Sequence, residues 1–189
     1  NREKMTMAEL MDAFDVKGIS KSGSILDEGK MKWLNSQYIK ELTEEEFVTL
    51  ALPFFEKSKV AGKYDYYKLA KLLIPRVEIL SDIPSKIDFL EEFEGYDKEL
   101  YENKKNKMDK QIAIEILEKC IPEFEKINDY SEENLQSIIA KIIEDGGYKK
   151  GQVFLTIRLA LTGAQMTPGG ATEMADLLGK DERVRRLKY

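Results

Sequence analysis

The run SEENLQSIIAKIIEDGG, residues 131–147, carries the fold decision. Its apolar residues Leu135, Ile138, Ile139, Ile142 and Ile143 recur at i, i+3, i+4, i+7 and i+8, the spacing of one helix face. Ser131 stands where a cap side chain receives the first free N–H groups, and Gly146-Gly147 ends the run as helices commonly end. The same period extends outward in both directions. Upstream, Asp109 to about Ile127 places Ala113, Ile116, Leu117, Cys120, Ile121 and Phe124 on one stripe, with a bend expected at Pro122. Downstream follow Lys150 to Leu161, Ala171 to Leu178, and Asp181 to Leu187, punctuated by Gly163 and Gly179.

Toward the N-terminus, Thr6-Met-Ala-Glu9 and Thr43-Glu-Glu-Glu46 have capping-box spacing and predict helix starts. A helix over Asp27 to Leu42 sets Met31, Leu34, Tyr38 and Leu42 near one face; Trp33 and Tyr38 are read as core, with a ligand-facing position as their alternative. Pro53 either kinks its helix or opens the next turn. A helix from about Tyr64 to Leu73 stops at Pro75, leaving Arg76 on an exposed shoulder. Ser81-Asp-Ile-Pro84 leads into a helix over Lys86 to Phe93, and Gly95 to Lys107 is a short helix or a loop. No stretch alternates with period 2 and no segment repeats. The chain is read as all-α.

Composition narrows the chemistry. The 189 residues contain no histidine, which removes the usual neutral-pH acid/base and a favoured zinc ligand. A single cysteine excludes an internal disulfide, fits a reducing cytosol and, on its apolar stripe, reads as core. No run approaches the roughly 20 apolar residues of a membrane span, and nothing resembles a signal peptide. The chain opens at Asn1 and runs straight into helical pattern, which points to a fragment. No Walker loop, GxGxxG or Ser/His/Asp set is present. Lys21-Ser22-Gly23-Ser24 lacks phosphate-loop spacing and reads as a flexible loop, and the many carboxylates read as solvated helix faces.

The formal net charge of −5 argues against a general nucleic-acid coat but not against a reader of one RNA, which needs only a local positive face. From Arg158 to Tyr189 the positive residues are Arg158, Lys180, Arg183, Arg185, Arg186 and Lys188, against Glu173, Asp176, Asp181 and Glu182. Beside Arg158 runs Met166-Thr167-Pro168-Gly169-Gly170, a loop with few side chains to obstruct a ligand. A bare loop next to a fixed guanidinium suits unstacked bases. The alternative for Arg158 is an ion pair with a neighbouring carboxylate.

Several segments together resemble glutamyl-tRNA synthetase, of the bacterial type, in its C-terminal region. FDVKGISKSGSILDEGKMKWLNSQYIKEL (14–42) matches the family's phenylalanine, basic Ser/Gly loop and following helix at Lys30, Trp33, Leu34, Asn35, Tyr38 and Ile39. Ile74-Pro-Arg-Val77 resembles its arginine after a helix-ending proline. Gly151-Gln152, Ile157-Arg-Leu-Ala-Leu-Thr-Gly163, Thr167-Pro168 and Leu177-Leu178-Gly179-Lys180 match its terminal signature. The resemblance covers essentially the whole chain.

It implies the tail of a stem-contact region over 1–42 and two consecutive helical anticodon-binding subdomains, 43–92 and 93–189. It implies glutamate tRNA as partner, Arg76 at the third anticodon base, and Arg158, Thr167, Pro168 and Gly170 around the first two. Gly170 departs from the family, which often has a larger apolar residue there. Some relatives have an arginine near Ala140; Lys141 is the nearest cation here. Lys141, Lys149, Lys150, Arg183 and Arg186 are the candidates for tRNA backbone contact, Arg183 and Arg186 having a solvated helix end as their alternative. The resemblance also implies a cytoplasmic, monomeric parent ligase using ATP and Mg in a catalytic half absent here, with no DNA or membrane partner. This chain alone is then expected to need no cofactor or metal and to be inactive in ligation. Arg76 implies discrimination of glutamate from glutamine tRNA. The competing class is an all-helical protein-interaction domain without RNA. The RNA reading requires Arg76 and Arg158 to open onto one concave surface.

Overall fold

Capping chemistry sets where the helices begin. The computed structural model describes residues 4–19, 23, 25–91, 93, 95–129 and 131–189. Thr6 and Thr43 accept from the N–H three residues on, and Glu9 and Glu46 return a carboxylate to the cap N–H. Helices α1 (Met7–Ala13) and α3 (Glu44–Phe55) therefore open on complete capping boxes. Asp27, Asp65, Asp109 and Ser131 cap α2 (Glu28–Ile39), α4 (Tyr66–Leu73), α6 (Lys110–Lys126) and α7 (Glu132–Gly146). The remaining helices are α5 (Ile83–Ile87), α8 (Lys150–Thr162), α9 (Ala171–Leu178) and α10 (Lys180–Leu187). Among the described residues there is no strand, only one isolated bridge between Asn103 and Met108, so the all-α expectation holds. No helix among them is long and apolar enough to cross a membrane.

The stripes expected on α6 and α7 face inward. Ala113, Ile116, Cys120 and Phe124 meet Leu135, Ile139 and Ile142, with Val153, Ile157 and Leu161 of α8 between them and α9. Phe47, Ala51 and Phe55 of α3 pack with Leu69 and Leu73 of α4 and Ile83 and Ile87 of α5, and the same apolar cluster runs through both sets. Burial pushes the Cys120 thiol up to about 12, so it stays protonated and inert at neutral pH, as core packing requires. Both prolines are interior: α3 runs through Pro53 and α6 through Pro122 without interruption.

Three expectations change. The helix expected over Lys86 to Phe93 is cut short: α5 ends at Ile87 and a 3-10 turn takes Asp88–Leu90, where the Asp88 carboxylate accepts from the Lys59 N–H at 2.9 Å. Trp33 and Tyr38 are not core but 44% and 39% exposed. Helix α2 turns only Ser36 and Ile39 inward, so its aromatic residues lack a surface to cover them; Tyr38 instead donates to the Met5 carbonyl at 2.6 Å. Of the Lys21–Ser24 loop, Lys21, Ser22 and Ser24 lie outside the described residues.

The third change concerns Arg183 and Arg186, which are 0% and 1% exposed and therefore available neither to phosphate nor to solvent. Each serves carbonyls at the ends of helical segments, which lack an intrahelical partner. Arg186 donates through Nη1 to Leu161 at 2.9 Å, through Nη2 to Leu90 at 3.1 Å and through Nε to the Glu182 carboxylate at 2.6 Å. Its guanidinium also lies 5.0 Å from the Phe93 ring centre. Arg183 donates through Nη1 to Ala175, in the last turn of α9, at 2.6 Å. The i, i+3, i+4 placement of Arg183, Arg186 and Leu187 was the signal that these residues face inward.

Hydrogen bonds from Arg185, and then from Arg186, outweigh partial burial and pull the Glu182 carboxyl down to about 2. A native pKa below the ordinary ~4.3 of glutamate stabilises the fold above that value and loses the contribution as pH falls toward the native one. Glu182→Gln is expected to destabilise the chain by ~1.5–3 kcal/mol at pH 7, the range for hydrogen bonds to charged groups. Urea denaturation at stepped pH should show the gap to the unsubstituted chain closing between pH ~4.3 and about 2.

Candidate nucleic-acid interface

Arg76 is placed by the way α4 ends. Pro75 has no N–H to give the Lys71 carbonyl, and here the chain turns so that the Arg76 and Val77 N–H groups both reach the Leu73 carbonyl, at 2.8 and 2.9 Å. Val77 is buried, which pins the turn from below. The Leu72 carbonyl, which a continued helix would have given to the Arg76 N–H, instead receives Arg76 Nη1 at 2.8 Å. Nη2 lies 3.7 Å from Glu173 Oε1 in an ion pair whose side chains are 39% and 32% exposed. The shoulder expected for Arg76 is real, and the carboxylate pairing considered for Arg158 belongs to Arg76.

The opposite wall is placed by the end of α8. Gly163 takes a φ of 66°, and a Cβ there would stand 2.9 Å from Tyr96 Cβ, so both backbone and neighbour demand glycine. Thr162 Oγ1 donates back to the Arg158 carbonyl at 2.7 Å and closes the last turn. In the loop that follows, Thr167 Oγ1 donates to the Gly169 carbonyl at 2.5 Å. Gly169 is pressed onto the end of α4 and the start of α9: a Cβ there would lie 2.6 Å from Met174 Cε and 3.1 Å from both Leu72 Cδ2 and Glu173 Cβ. The Gly170 N–H donates to Glu173 Oε2 at 2.6 Å and opens α9.

Between these walls lies a cavity of about 300 Å³, lined by Arg76, Ser85, Lys86, Phe89, Met166, Thr167 and Pro168. That volume is at the small end of ligand sites. The lining holds two cations and no carboxylate, in a chain of net charge −5. A phenyl face, a hydroxyl and a fixed guanidinium in one concavity offer stacking and hydrogen bonding to a flat heterocycle.

Of the five expected anticodon residues, the cavity brings Arg76, Thr167 and Pro168 together. Arg158 and Gly170 are not in its lining, so the shared surface required of Arg76 and Arg158 is not this cavity. Arg158 is partly buried on α8, and its Nε is buried without a hydrogen-bond partner among the described residues. Lys141, Lys149 and Lys150 are exposed as backbone contacts require, but none lines the cavity. Lys141 stands in a separate groove whose lining includes Glu118, Glu123 and Asp145, which offset its attraction for phosphate. Lys150 lies 5.4 Å from the Phe154 ring centre. Ser85, Lys86, Phe89, Met166 and Glu173 were not foreseen. The Gly170-to-Glu173 spacing, a cap residue with Glu three on, was the available signal for the last. No group of three or more carboxylate or cysteine side chains that could hold a metal occurs among the described residues.

The two adjacent glycines should respond differently to substitution. Gly169→Ala forces its Cβ into Met174, Glu173 and Leu72 and is expected to cost ~1–3 kcal/mol as overpacking. Gly170→Ala should leave the melting temperature nearly unchanged: its φ of −76° suits any residue, and its Cβ meets only Glu173 Oε2 at 3.4 Å. Paired thermal melts of the two variants check this.

The family described as anticodon binding domain matches residues 46–189. Glutamate--tRNA ligases of Clostridium acetobutylicum and Clostridium kluyveri are each 39% identical over 186 and 188 residues, or 98% and 100% of this chain. The chain spans 38% of the length of either relative. Among solved structures, a glutamate-tRNA synthetase from Elizabethkingia anophelis superposes with a TM-score of 0.77 at 24% identity, over 97% of this chain and 35% of that one. A glutamate tRNA ligase from Elizabethkingia meningosepticum, in complex with its amino acid, gives 0.74 at 23%, over 97% and 36%. At such identity these two likenesses speak for the helical fold alone. The sequence match, over most of the length that contains the cavity, is what places this chain in the anticodon binding domain family.

Proposed function

We propose that this chain is the RNA-reading part of a glutamate–tRNA ligase, holding the anticodon of glutamate tRNA while the rest of the protein ligates glutamate to it with ATP and Mg. The observation that carries the reading is the cavity in which Arg76, Thr167 and Pro168 meet. An anticodon base splayed out of its loop presents unpaired hydrogen-bonding edges. The guanidinium of Arg76 offers only donors, so it favours an edge that presents acceptors and penalises one that presents a donor. Phe89 supplies a stacking face, and Lys86 a cation for the adjoining phosphate.

Arg158 and Gly170 serve the first two bases in this reading. Arg158 would act through the part of its side chain that remains accessible, and the backbone of Gly170 carries no side chain to obstruct a ligand. Lys141, Lys149 and Lys150 contribute phosphate attraction, while the acidic remainder repels unrelated RNA. The chain's own work needs neither cofactor nor metal, and its setting is the cytoplasm, within a monomeric parent that has no DNA or membrane partner.

Salt-dependent gel shift with a glutamate-tRNA anticodon hairpin tests the proposal. Arg76→Ala and Arg158→Ala are each expected to weaken binding by ~1–3 kcal/mol. Equal binding of unrelated hairpins, or none, would instead favour a helical protein-interaction domain. Pyrophosphate exchange with glutamate and ATP should show no adenylate formation by this chain alone. The intact ligase should charge glutamate tRNA in preference to glutamine tRNA.

A further inference from the structure

Glu173 divides its two oxygens between the two walls of the cavity. Oε2 accepts from the Gly170 N–H at 2.6 Å and so fixes the end of the Thr167–Gly170 loop. Oε1 stands 3.7 Å from Arg76 Nη2, while Nη1 of the same guanidinium is held by the Leu72 carbonyl at 2.8 Å. The guanidinium thus sits between the last turn of α4 and the first turn of α9. Glu173 is itself absent from the cavity lining, so whatever it does for a ligand it does through Arg76 and the loop.

We infer that Glu173 is a positioning residue for base discrimination, tying the orientation of Arg76 to the seating of the Thr167–Gly170 loop. The inference rests on the anticodon-reading proposal above. Arginine has five N–H donors in a planar fork, and one is committed to Leu72. An arginine free to turn about its side-chain bonds presents those donors over a broad surface and accommodates several base edges. An arginine held at Nη1 by a hydrogen bond and drawn at Nη2 by a carboxylate 3.7 Å away presents its remaining donors over a narrower range, with part of the orienting entropy lost on folding and not on binding. A second ion pair, Lys68 to Asp176 at 2.8 Å, bridges the same two helices without touching Arg76. It provides an internal control for generic loosening.

The test uses two hairpins differing only in the third anticodon base, cytosine with two acceptors and one donor on its pairing edge or guanine with one acceptor and two donors, titrated by fluorescence anisotropy at fixed salt. Glu173→Gln keeps an oxygen for the Gly170 N–H and replaces the carboxylate oxygen facing Arg76 with an NH2, which has no acceptor or charge to offer the guanidinium. It is expected to lower the cytosine-over-guanine preference roughly two- to fivefold, the size fitting a partly exposed ion pair, with the melting temperature unchanged. Asp176→Asn is expected to leave the preference as it was, and Arg76→Ala to remove it. If Glu173→Gln keeps the full preference while Arg76→Ala loses it, the positioning role is wrong and the anticodon reading stands. Equal loss in Glu173→Gln and Asp176→Asn also overturns the positioning role, because helix contact alone then explains it. A preference retained by Arg76→Ala overturns the anticodon reading and this inference with it.

Discussion

Several helical segments of this chain end inside the protein, and a carbonyl that ends in the interior must find a donor or leave a costly polar atom bare. The ends at Leu161 and Leu90 are served by Arg186, and the last turn of α9 by Arg183. Arg186 joins parts of the chain far apart in sequence, holding the close of α8 to the turn after α5, where Tyr64 also donates to the Leu90 carbonyl. The charge of Arg186 is tolerable because two carbonyls, the Phe93 ring and the Glu182 carboxylate surround it, while Arg183 meets the Ala175 carbonyl and lies 6.0 Å from the Phe124 ring centre. Arg76 performs the same service for Leu72, but at the surface. Depth separates the two roles: the buried forks use their donors on the protein, whereas the shoulder fork keeps donors for something else.

That distinction marks the limit of what the sequence could disclose. Capping boxes at Thr6 and Thr43, the stripes of α6 and α7, and the glycine ends at Gly147 and Gly163 are local events, and local residues determine them. The cavity was legible where it too is local: Pro75 strands Arg76, and the bare loop through Thr167 and Pro168 follows the end of α8. What escaped was decided by partners elsewhere in the chain. Arg183 and Arg186 look like solvated cations until the carbonyls they cap are known. Trp33 and Tyr38 look like core until α2 proves to have few neighbours. Lys86 reaches the cavity from α5 and Phe89 from the 3-10 turn that follows it, where Asp88 accepts from the distant Lys59 N–H.

Charge placement completes the argument for a selective site over a generally adhesive one. A basic chain would attract any phosphate, and affinity would then come mainly from counterion release with little regard for sequence. Here the net charge is −5, and Lys141 shares its groove with Glu118, Glu123 and Asp145. The Arg76 cavity is different: Arg76 and Lys86 line it, and Glu173, the carboxylate paired with Arg76, lies outside the lining. The cavity, about 300 Å³, is too small for a duplex, and in the proposed reading it takes one extruded heterocycle. In such a site, the direction in which a fixed fork points contributes more to selectivity than the total charge, because a misdirected donor is desolvated without a partner while a correctly met one is not.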